Sequence, residues 1–223
     1  MSDTSTTAEA SNRETRGAIK HVVQIAFFAL LVKPFMTFFI GLRVRGAEHL
    51  PSADPFILLA NHNSHLDTVS LLSLFPLLRL KRLRPVAAAD YFERNRWISL
   101  FTRTLFNILP IERQQISSGN NPVRVMQEAL SAGQSLILFP EGTRAAGEGV
   151  GQFRGGIAHL LVRAPGVPVV PAYLVNMGRS LPKGTFIPVP FFCEIRLGPP
   201  RILQGSKQEI LATLEKAVRE LSC

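Results

Sequence analysis

The stretch PFILLANHNSHLDTVSLLSLF, residues 55–75, decides the fold. It opens with FILLA, a short continuous apolar run typical of a buried strand, and it ends with TVSLLSLF, an apolar segment that favours a helix. Between the two lies the polar sequence NHNSHLD, residues 61–67. A buried strand, a polar loop and an apolar helix in this order predict an α/β protein whose functional residues follow the carboxyl ends of its strands.

The same alternation continues along the chain in both directions. Short apolar runs predict strands at residues 42–45, 56–60, 85–89, 108–111, 135–139, 169–175 and 191–197. Helices are predicted at residues 66–74, 95–106, 122–132 and 156–163, and a capping box, SKQE at residues 206–209, opens a final helix. The fold class is therefore α/β, with a mixed, largely parallel sheet covered by helices on both faces.

The N-terminal region has a different character. Residues 1–18 are rich in Ser, Thr and charge and predict a disordered tail, whereas residues 19–42 contain two apolar runs separated by Lys33 and Pro34. Each run is too short to span a bilayer alone, so we expect an N-terminal interfacial helical hairpin that associates with a membrane. The alternative is a pair of core helices of the globular domain, which is predicted at residues 43–223.

Composition supports a membrane-associated protein. A net charge of +9 accompanies 46% hydrophobic residues and a positive mean hydropathy of +0.17. Nucleic acid is the other usual partner of a basic chain, but one Trp and two Tyr offer few rings for base stacking, so no nucleic-acid partner is expected. Cys193 and Cys223 match neither a disulfide framework nor a metal site.

The polar loop contains a candidate catalytic pair. A His that removes a proton needs a carboxylate to fix its tautomer, and His62 and Asp67 have a spacing that allows the two side chains to meet. Two alternatives stay open: a metal site built from His62, His65 and Asp67, and simple helix capping by Ser64 or Asp67.

A second polar group follows the strand SLILF. Glu141, Gly142, Thr143 and Arg144 combine a tight turn with a hydroxyl and a guanidinium suited to phosphate. Arg113 follows another strand, ILPI. Because the carboxyl ends of parallel strands share one edge of a sheet, these residues predict an anion-binding site that contains a base.

These residues carry a family resemblance. NHNSHLD resembles the H-x4-D motif of the glycerophosphate and lysophospholipid acyltransferases, and FPEGTR at residues 139–144 is similar to that family's second signature. Residues 107–113 and 167–171 resemble two further blocks. The chain departs from the family pattern at Asn107, where Gly is usual, at Pro110, where an aromatic is common, and at Arg154, where Lys is frequent.

The resemblance implies a specific reaction. A fatty acyl group would move from acyl-CoA or an acyl carrier protein to the free hydroxyl of lysophosphatidic acid, giving phosphatidic acid, with no cofactor and no metal. His62 would be the base and Asp67 its partner, while the acceptor would contact Arg113, Glu141, Gly142, Thr143, Arg144 and, as a secondary candidate, Arg154. The enzyme would be membrane-associated, with its active site on the cytoplasmic side, and membrane lipids and the acyl donor would be its partners.

Three alternatives remain at this point. Asn107 and Pro110 favour another acceptor, such as a lysophospholipid with a head group or a lyso-ornithine lipid. From other classes, the chain could be a non-catalytic module that binds anionic lipids, or a metal-dependent hydrolase. The basic run RLKRLR, residues 79–84, is expected either to touch anionic headgroups or an acyl carrier protein, or to be a solvated loop.

Overall fold

Seven strands form one sheet in the computed structural model, which describes residues 15, 17–89, 96–112, 121–143, 149–182, 185 and 187–223, without the side chains of residues 96–99. The strands are β1 (Arg43–Arg45), β2 (Ile57–Ala60), β3 (Leu83–Ala88), β4 (Leu109–Ile111), β5 (Ser135–Leu138), β6 (Val169–Val175) and β7 (Glu194–Leu197). Each predicted strand is present, and its bounds differ from the prediction by at most three residues.

The order of the strands across the sheet is β1-β7-β6-β2-β5-β3-β4. All neighbouring pairs are parallel except β6 and β7, which pair antiparallel. The predicted mixed, largely parallel sheet is therefore confirmed. Strand β2 lies in the middle, between β6 and β5, so the loops that leave β2, β5 and β6 share one edge of the sheet.

Helices cover both faces of the sheet, as predicted. They are α1 (Gly17–Phe39), α2 (Leu66–Ser73), α3 (Arg96–Leu105), α4 (Pro122–Ser131), α5 (Gly156–Arg163), α6 (Met177–Ser180) and α7 (Lys207–Glu220). Buried residues of α1 and α2 form one apolar core with the sheet, and those of α4, α5 and α7 form the other. The predicted caps are present: Asn121 accepts from the N–H of Val123, and Ser206 and Glu209 form a capping box.

The predicted N-terminal hairpin is wrong, because α1 is a single helix of 23 residues. Two π-helical stretches, Phe28–Val32 and Phe35–Phe39, flank Lys33 and Pro34. A proline inside an α-helix clashes with the carbonyl four residues earlier, and the wider π turns accommodate it without a break. The predicted tail lies outside the described residues up to residue 14, and Gly17 and Ala18 belong to α1.

Helix α1 has two unlike faces. A stripe with four-residue spacing is buried against the domain and comprises Gln24, Phe28, Val32 and Met36, with Ile40 continuing it directly after the helix. The opposite side, called here the outer face of α1, is exposed and apolar and consists of Val22, Val23, Leu30, Leu31, Phe38 and Phe39. By length and composition α1 is the one helix among the described residues that is suited to cross a membrane.

The backbone explains two departures from the family pattern. Asn107 has a φ of 52°, the left-handed conformation that Gly adopts most easily and Asn tolerates. Pro110 lies in β4, an edge strand, where a missing N–H does not interrupt the sheet. Because both residues satisfy local backbone demands, neither requires an unusual acceptor.

The basic run at residues 79–84 is divided between two uses. Arg79 donates to Asp54 (2.8 Å) and to the carbonyl of Pro51 (2.7 Å), and Arg84 donates to the carbonyl of Asn107 (2.8 Å). Lys81 and Arg82 are exposed. The run is thus not a solvated loop throughout, and only part of it is available to a headgroup.

Candidate active site

His62 and Asp67 meet in the loop between β2 and α2, as their spacing predicts. Nδ1 of His62 lies 2.8 Å from Oδ2 of Asp67. The His62 ring stacks on Phe139, with ring centroids 4.2 Å apart and planes 21° apart. The imidazole is 21% exposed and the carboxylate is fully buried. The imidazole is therefore accessible from solvent, while the carboxylate beside it is shielded.

The hydrogen bonds of Asp67 fix the tautomer of His62. Oδ2 of Asp67 also accepts from the backbone N–H of Asn63 (2.7 Å) and of Ser64 (2.8 Å). Asp67 lies in the first turn of α2, where the helix dipole also favours a negative charge. These donors stabilise an ionised, accepting carboxylate, so Nδ1 of His62 carries the donated proton and Nε2 carries the lone pair.

The structure bears on both alternative interpretations of this loop, helix capping and a metal site. Ser64 does organise the start of α2, because its Oγ accepts from the N–H of Leu66 (3.2 Å) and donates to the carbonyl of Leu181 (2.9 Å). Capping and catalysis are thus compatible uses of this loop. His65 is exposed, whereas Asp67 is buried. Among the residues that the structure describes, no three His, Cys, Asp or Glu side chains are grouped to hold a metal ion.

Asn61 anchors the loop, a role that the sequence analysis did not identify. It is fully buried, and its Oδ1 accepts from the N–H of Leu174 (2.7 Å). Its Nδ2 donates to the carbonyls of Leu174 (3.2 Å) and Gly149 (3.4 Å). The side chain therefore ties the residue before His62 to β6 and to the segment after the second motif. Its position next to His62 is the only sequence signal.

The turn after β5 requires a glycine. Gly142 has a φ of 74°, and its N–H donates to the carbonyl of Phe139 (3.1 Å). A Cβ atom at Gly142 would lie 2.7 Å from Nε of Arg154. That Nε donates to the carbonyl of Glu141 (3.1 Å), so Arg154 packs directly on the turn while its side chain remains exposed.

Glu141 links the two motifs. It is 7% exposed, and its Oε1 accepts from the backbone N–H of His62 (3.4 Å). The N–H of Gly151 also donates to this carboxylate, and burial raises the pKa of Glu141 despite these hydrogen bonds. The predicted contact of Glu141 with the acceptor stays a prediction, and in the structure the carboxylate binds the main chain of two loops.

The structure brings most of the predicted site together. His62, Asp67, Glu141, Gly142 and Arg154 form one connected group. Thr143 is exposed at the end of this turn. Arg113 and Arg144 lie outside the described residues. Phe139, the first residue of the second motif, stacks on His62, and its position at the end of the predicted strand does not indicate this contact.

Comparisons with known proteins identify a family and several relatives of this chain. A family model described as Acyltransferase matches residues 41–175. The chain is 29% identical over 171 residues to the chloroplastic 1-acyl-sn-glycerol-3-phosphate acyltransferase LPAT1 of Arabidopsis thaliana, covering 76% of this chain and 45% of that protein. It is 27% identical over 183 residues to 1-acyl-sn-glycerol-3-phosphate acyltransferase alpha of Bos taurus, covering 81% and 61%.

A solved structure shares the fold. The 1-acyl-sn-glycerophosphate (LPA) acyltransferase PlsC of Thermotoga maritima superposes with a TM-score of 0.71 at 23% identity, covering 94% of this chain and 82% of that one. The chain spans less than two thirds of the length of the two curated relatives, at 45% and 61%.

Proposed function

The chain belongs to the acyltransferase family, and we propose that it is an O-acyltransferase that moves a fatty acyl group from an acyl thioester to the free hydroxyl of lysophosphatidic acid, giving phosphatidic acid. The observation that carries this proposal is the 2.8 Å contact between His62 and a fully buried Asp67. This arrangement leaves a basic Nε2 at a site that substrate can reach.

The reaction proceeds by direct attack. Nε2 of His62 removes the proton of the acceptor hydroxyl, and the oxygen attacks the thioester carbonyl. The tetrahedral intermediate collapses with breakage of the C–S bond, and the thiolate that leaves takes the proton back from the imidazolium. Asp67 stabilises the imidazolium that forms between the two transfers. A thioester is already activated, so positioning and this proton transfer are the main tasks of the protein.

The acceptor phosphate binds at the same edge of the sheet. Arg154 is an exposed cation on the turn that holds Glu141 and Gly142. Arg113 directly follows Glu112, at the carboxyl end of β4, and Arg144 directly follows Thr143. Guanidinium groups suit phosphate because they donate two parallel hydrogen bonds. Arg113, Thr143, Arg144 and Arg154 are thus assigned to the acceptor.

Membrane association occurs through the outer face of α1. A helix that crossed the bilayer would have to leave the domain, because the stripe from Gln24 to Ile40 is buried against it. Lying along the interface keeps that stripe packed and places the exposed apolar side chains in the acyl region. The active site is on the cytoplasmic side, where acyl-CoA or an acyl carrier protein supplies the thioester.

Replacement of His62 tests the reaction. His62→Ala should lower turnover of lysophosphatidic acid by about 10² to 10⁴-fold, the usual contribution of a general base, with binding to vesicles unchanged. Labelled acyl donor and mass spectrometry of the lipid product measure this, and a panel of other lysolipids tests the acceptor. His159→Ala, at an exposed histidine on α5, is the matched control. Wild-type turnover in His62→Ala would remove His62 as the base.

A further inference from the structure

A short segment beside the active site exposes large apolar side chains. Residues 187–192, IPVPFF, are called here the apolar loop. Ile187 is 80% exposed, Val189 52% and Phe192 72%. Single exposed apolar residues are common on protein surfaces, but a contiguous group marks a binding surface.

Hydrogen bonds hold the backbone of the apolar loop in place. The N–H of Val189 donates to the carbonyl of Ser180 (2.8 Å), and Oγ of the buried Ser180 donates back to the carbonyl of Val189 (2.8 Å). At the C-terminal end of the loop, Nδ2 of Asn176 donates to the carbonyl of Phe192 (3.1 Å). The side chains are therefore presented outward by a loop whose backbone is held at Val189 and at Phe192.

The apolar loop lies at the edge of the sheet that carries His62. Strand β7 runs antiparallel to β6 and pairs Glu194 with Val175, so the residues before β7 lie at the carboxyl end of β6. Ser64, two residues after His62, donates to the carbonyl of Leu181 (2.9 Å). Leu181 directly follows Ser180, which holds the apolar loop. Two hydrogen-bonded steps thus connect this loop to the candidate base.

The apolar loop is continuous with the outer face of α1. The ring of Phe192 lies against Gly41, since a Cβ there would be 3.3 Å from Cδ1 of that ring. Gly41 follows the end of α1, where Phe38 is 86% exposed and Phe39 44%. The apolar loop and the C-terminal end of α1 are therefore neighbours on the protein surface.

Cations accompany the aromatic rings. The guanidinium of Arg43 lies 5.5 Å from the centroid of Phe192, and that of Arg179 lies 5.6 Å from the centroid of Phe191. Exposed rings beside arginines match the boundary between acyl chains and anionic headgroups, where apolar groups insert and cations meet phosphate.

We infer that the apolar loop inserts into an anionic phospholipid bilayer and is a second membrane contact, which together with the outer face of α1 holds the mouth of the active site against the lipid. The inference rests on the proposed function, because an acceptor with a long acyl chain resides in the bilayer and must enter from it. The apolar loop would deliver lipid acceptors to the active site and would take no part in the acyl transfer itself.

Fluorescence tests insertion directly. Trp97 is the one tryptophan of the chain, so Phe192→Trp in a Trp97→Phe background reports the loop alone. Vesicles containing phosphatidylglycerol should shift its emission to shorter wavelength, and brominated acyl chains should quench it. Ile202→Trp in the same background is the control. Ile202 is also exposed, at 61%, but it follows Arg201, which pairs with Val169 at the start of β6, and so lies at the end of the sheet away from the apolar loop. Equal quenching at both positions, or none at 192 in vesicle-bound protein, overturns the inference.

Kinetics separate lipid delivery from chemistry. The double variant Ile187→Ser, Phe192→Ser should lose roughly tenfold or more in kcat/KM for lysophosphatidic acid in vesicles, from the apolar area no longer inserted. Its rate on a short-chain, monomeric lysophosphatidic acid should be unchanged. Val162→Ser with Ile202→Ser removes two exposed apolar residues elsewhere and should change neither rate.

Other outcomes overturn the inference in distinguishable ways. Equal loss on both acceptors assigns the loop a structural role. A change from dimer to monomer in sedimentation, with vesicle binding intact, assigns it to a second copy of the chain. If the loop variant raises only the KM for an acyl carrier protein, the apolar loop binds the acyl donor and not the membrane. If the wild type makes no product from either acceptor, the proposed function fails, and the quenching result still decides whether the loop inserts.

Discussion

The loop that holds His62 and the apolar loop are neighbours with opposite burial. In the first, polar side chains are buried: Asn61, Asn63, Ser64 and Asp67 are at most 6% exposed. In the second, large apolar side chains are exposed. Both arrangements cost free energy, but the first is offset inside the protein by hydrogen bonds. The second is offset only by an apolar partner, so the two regions should respond to different assays.

The carboxylate of Asp67 should give the largest effect in the buried polar region. Asp67→Asn places an amide where an ionised oxygen accepts three hydrogen bonds, which favours the wrong tautomer of His62. Turnover should fall on the order of 10³-fold or more on both vesicle-bound and monomeric acceptors, by analogy with the carboxylate of catalytic triads. Single-turnover rates with each acceptor measure this.

A buried aspartate at the opposite edge of the sheet provides the control. The side chain of Asp54 is 5% exposed, and its carboxylate accepts from Arg79 and Ser135. Asp54→Asn should lower thermal stability and leave turnover of the folded fraction unchanged. If both variants lost stability and turnover in the same proportion, the effect of Asp67 would be structural rather than chemical.

The next largest effect is expected at Asn61. Asn61→Ala leaves the N–H and carbonyl of Leu174 without their side-chain partner, at a cost of about 1–3 kcal/mol. Because the residue precedes His62, kcat should fall by roughly 10 to 100-fold with little change in KM, as expected when a misplaced base weakens only the transition state. Ser206→Ala, which removes the capping box of α7, matches the loss of stability without touching the site. A larger change in KM than in kcat would contradict a positioning role.

A smaller effect is expected from the turn after β5, and a pair of glycines isolates it. Gly142 and Gly133 have nearly the same φ, 74° and 72°. A Cβ at Gly133 meets nothing within 4 Å, whereas one at Gly142 meets Arg154. Both Ala variants should therefore lose about 1 kcal/mol of stability from backbone strain. Only Gly142→Ala should also lower turnover, measured with the monomeric acceptor, because it displaces Arg154. Equal turnover in the two variants would show that Arg154 has no role in the reaction.

The sequence was sufficient for much of the architecture. The strands follow from apolar runs bounded by turns, and β6 has its predicted bounds of Val169–Val175. The contact between His62 and Asp67 also follows from local spacing, because both lie between one strand and the first turn of one helix. The error in α1 arose because a proline signals a break, whereas packing of the buried stripe keeps the helix continuous through π turns.

Long-range contacts explain what the sequence did not reveal. Asn61 bonds to Leu174, 113 positions away, and Glu141 bonds to the N–H of His62, 79 positions away. Neither partner can be identified until the sheet order puts β5 and β6 on either side of β2. The last two residues of the apolar loop, 191 and 192, fall within the strand predicted at residues 191–197, whereas the strand begins at Glu194. Hydrophobicity alone does not separate an exposed apolar loop from a buried strand.

The smallest expected effect concerns Glu141 and depends on pH. Burial raises its pKa, so the folded state binds the proton more tightly than the unfolded chain does. The stability from this group is complete below the ordinary pKa of Glu, about 4.3, and is lost as the pH rises through the higher pKa of the folded state.

Glu141→Gln is uncharged throughout, so the free energy of unfolding of the variant should increase relative to that of the wild type as the pH rises. Urea denaturation of both proteins between about pH 4 and 8 measures this difference in unfolding free energy. The contributions of the other carboxylates cancel in the difference, because both proteins contain them. A constant difference would show that the hydrogen bonds from His62 and Gly151 balance burial. A difference that moves in favour of the wild type as the pH rises would show that these hydrogen bonds outweigh burial, and the link between the two motifs would then be a stabilising contact of a charged Glu141.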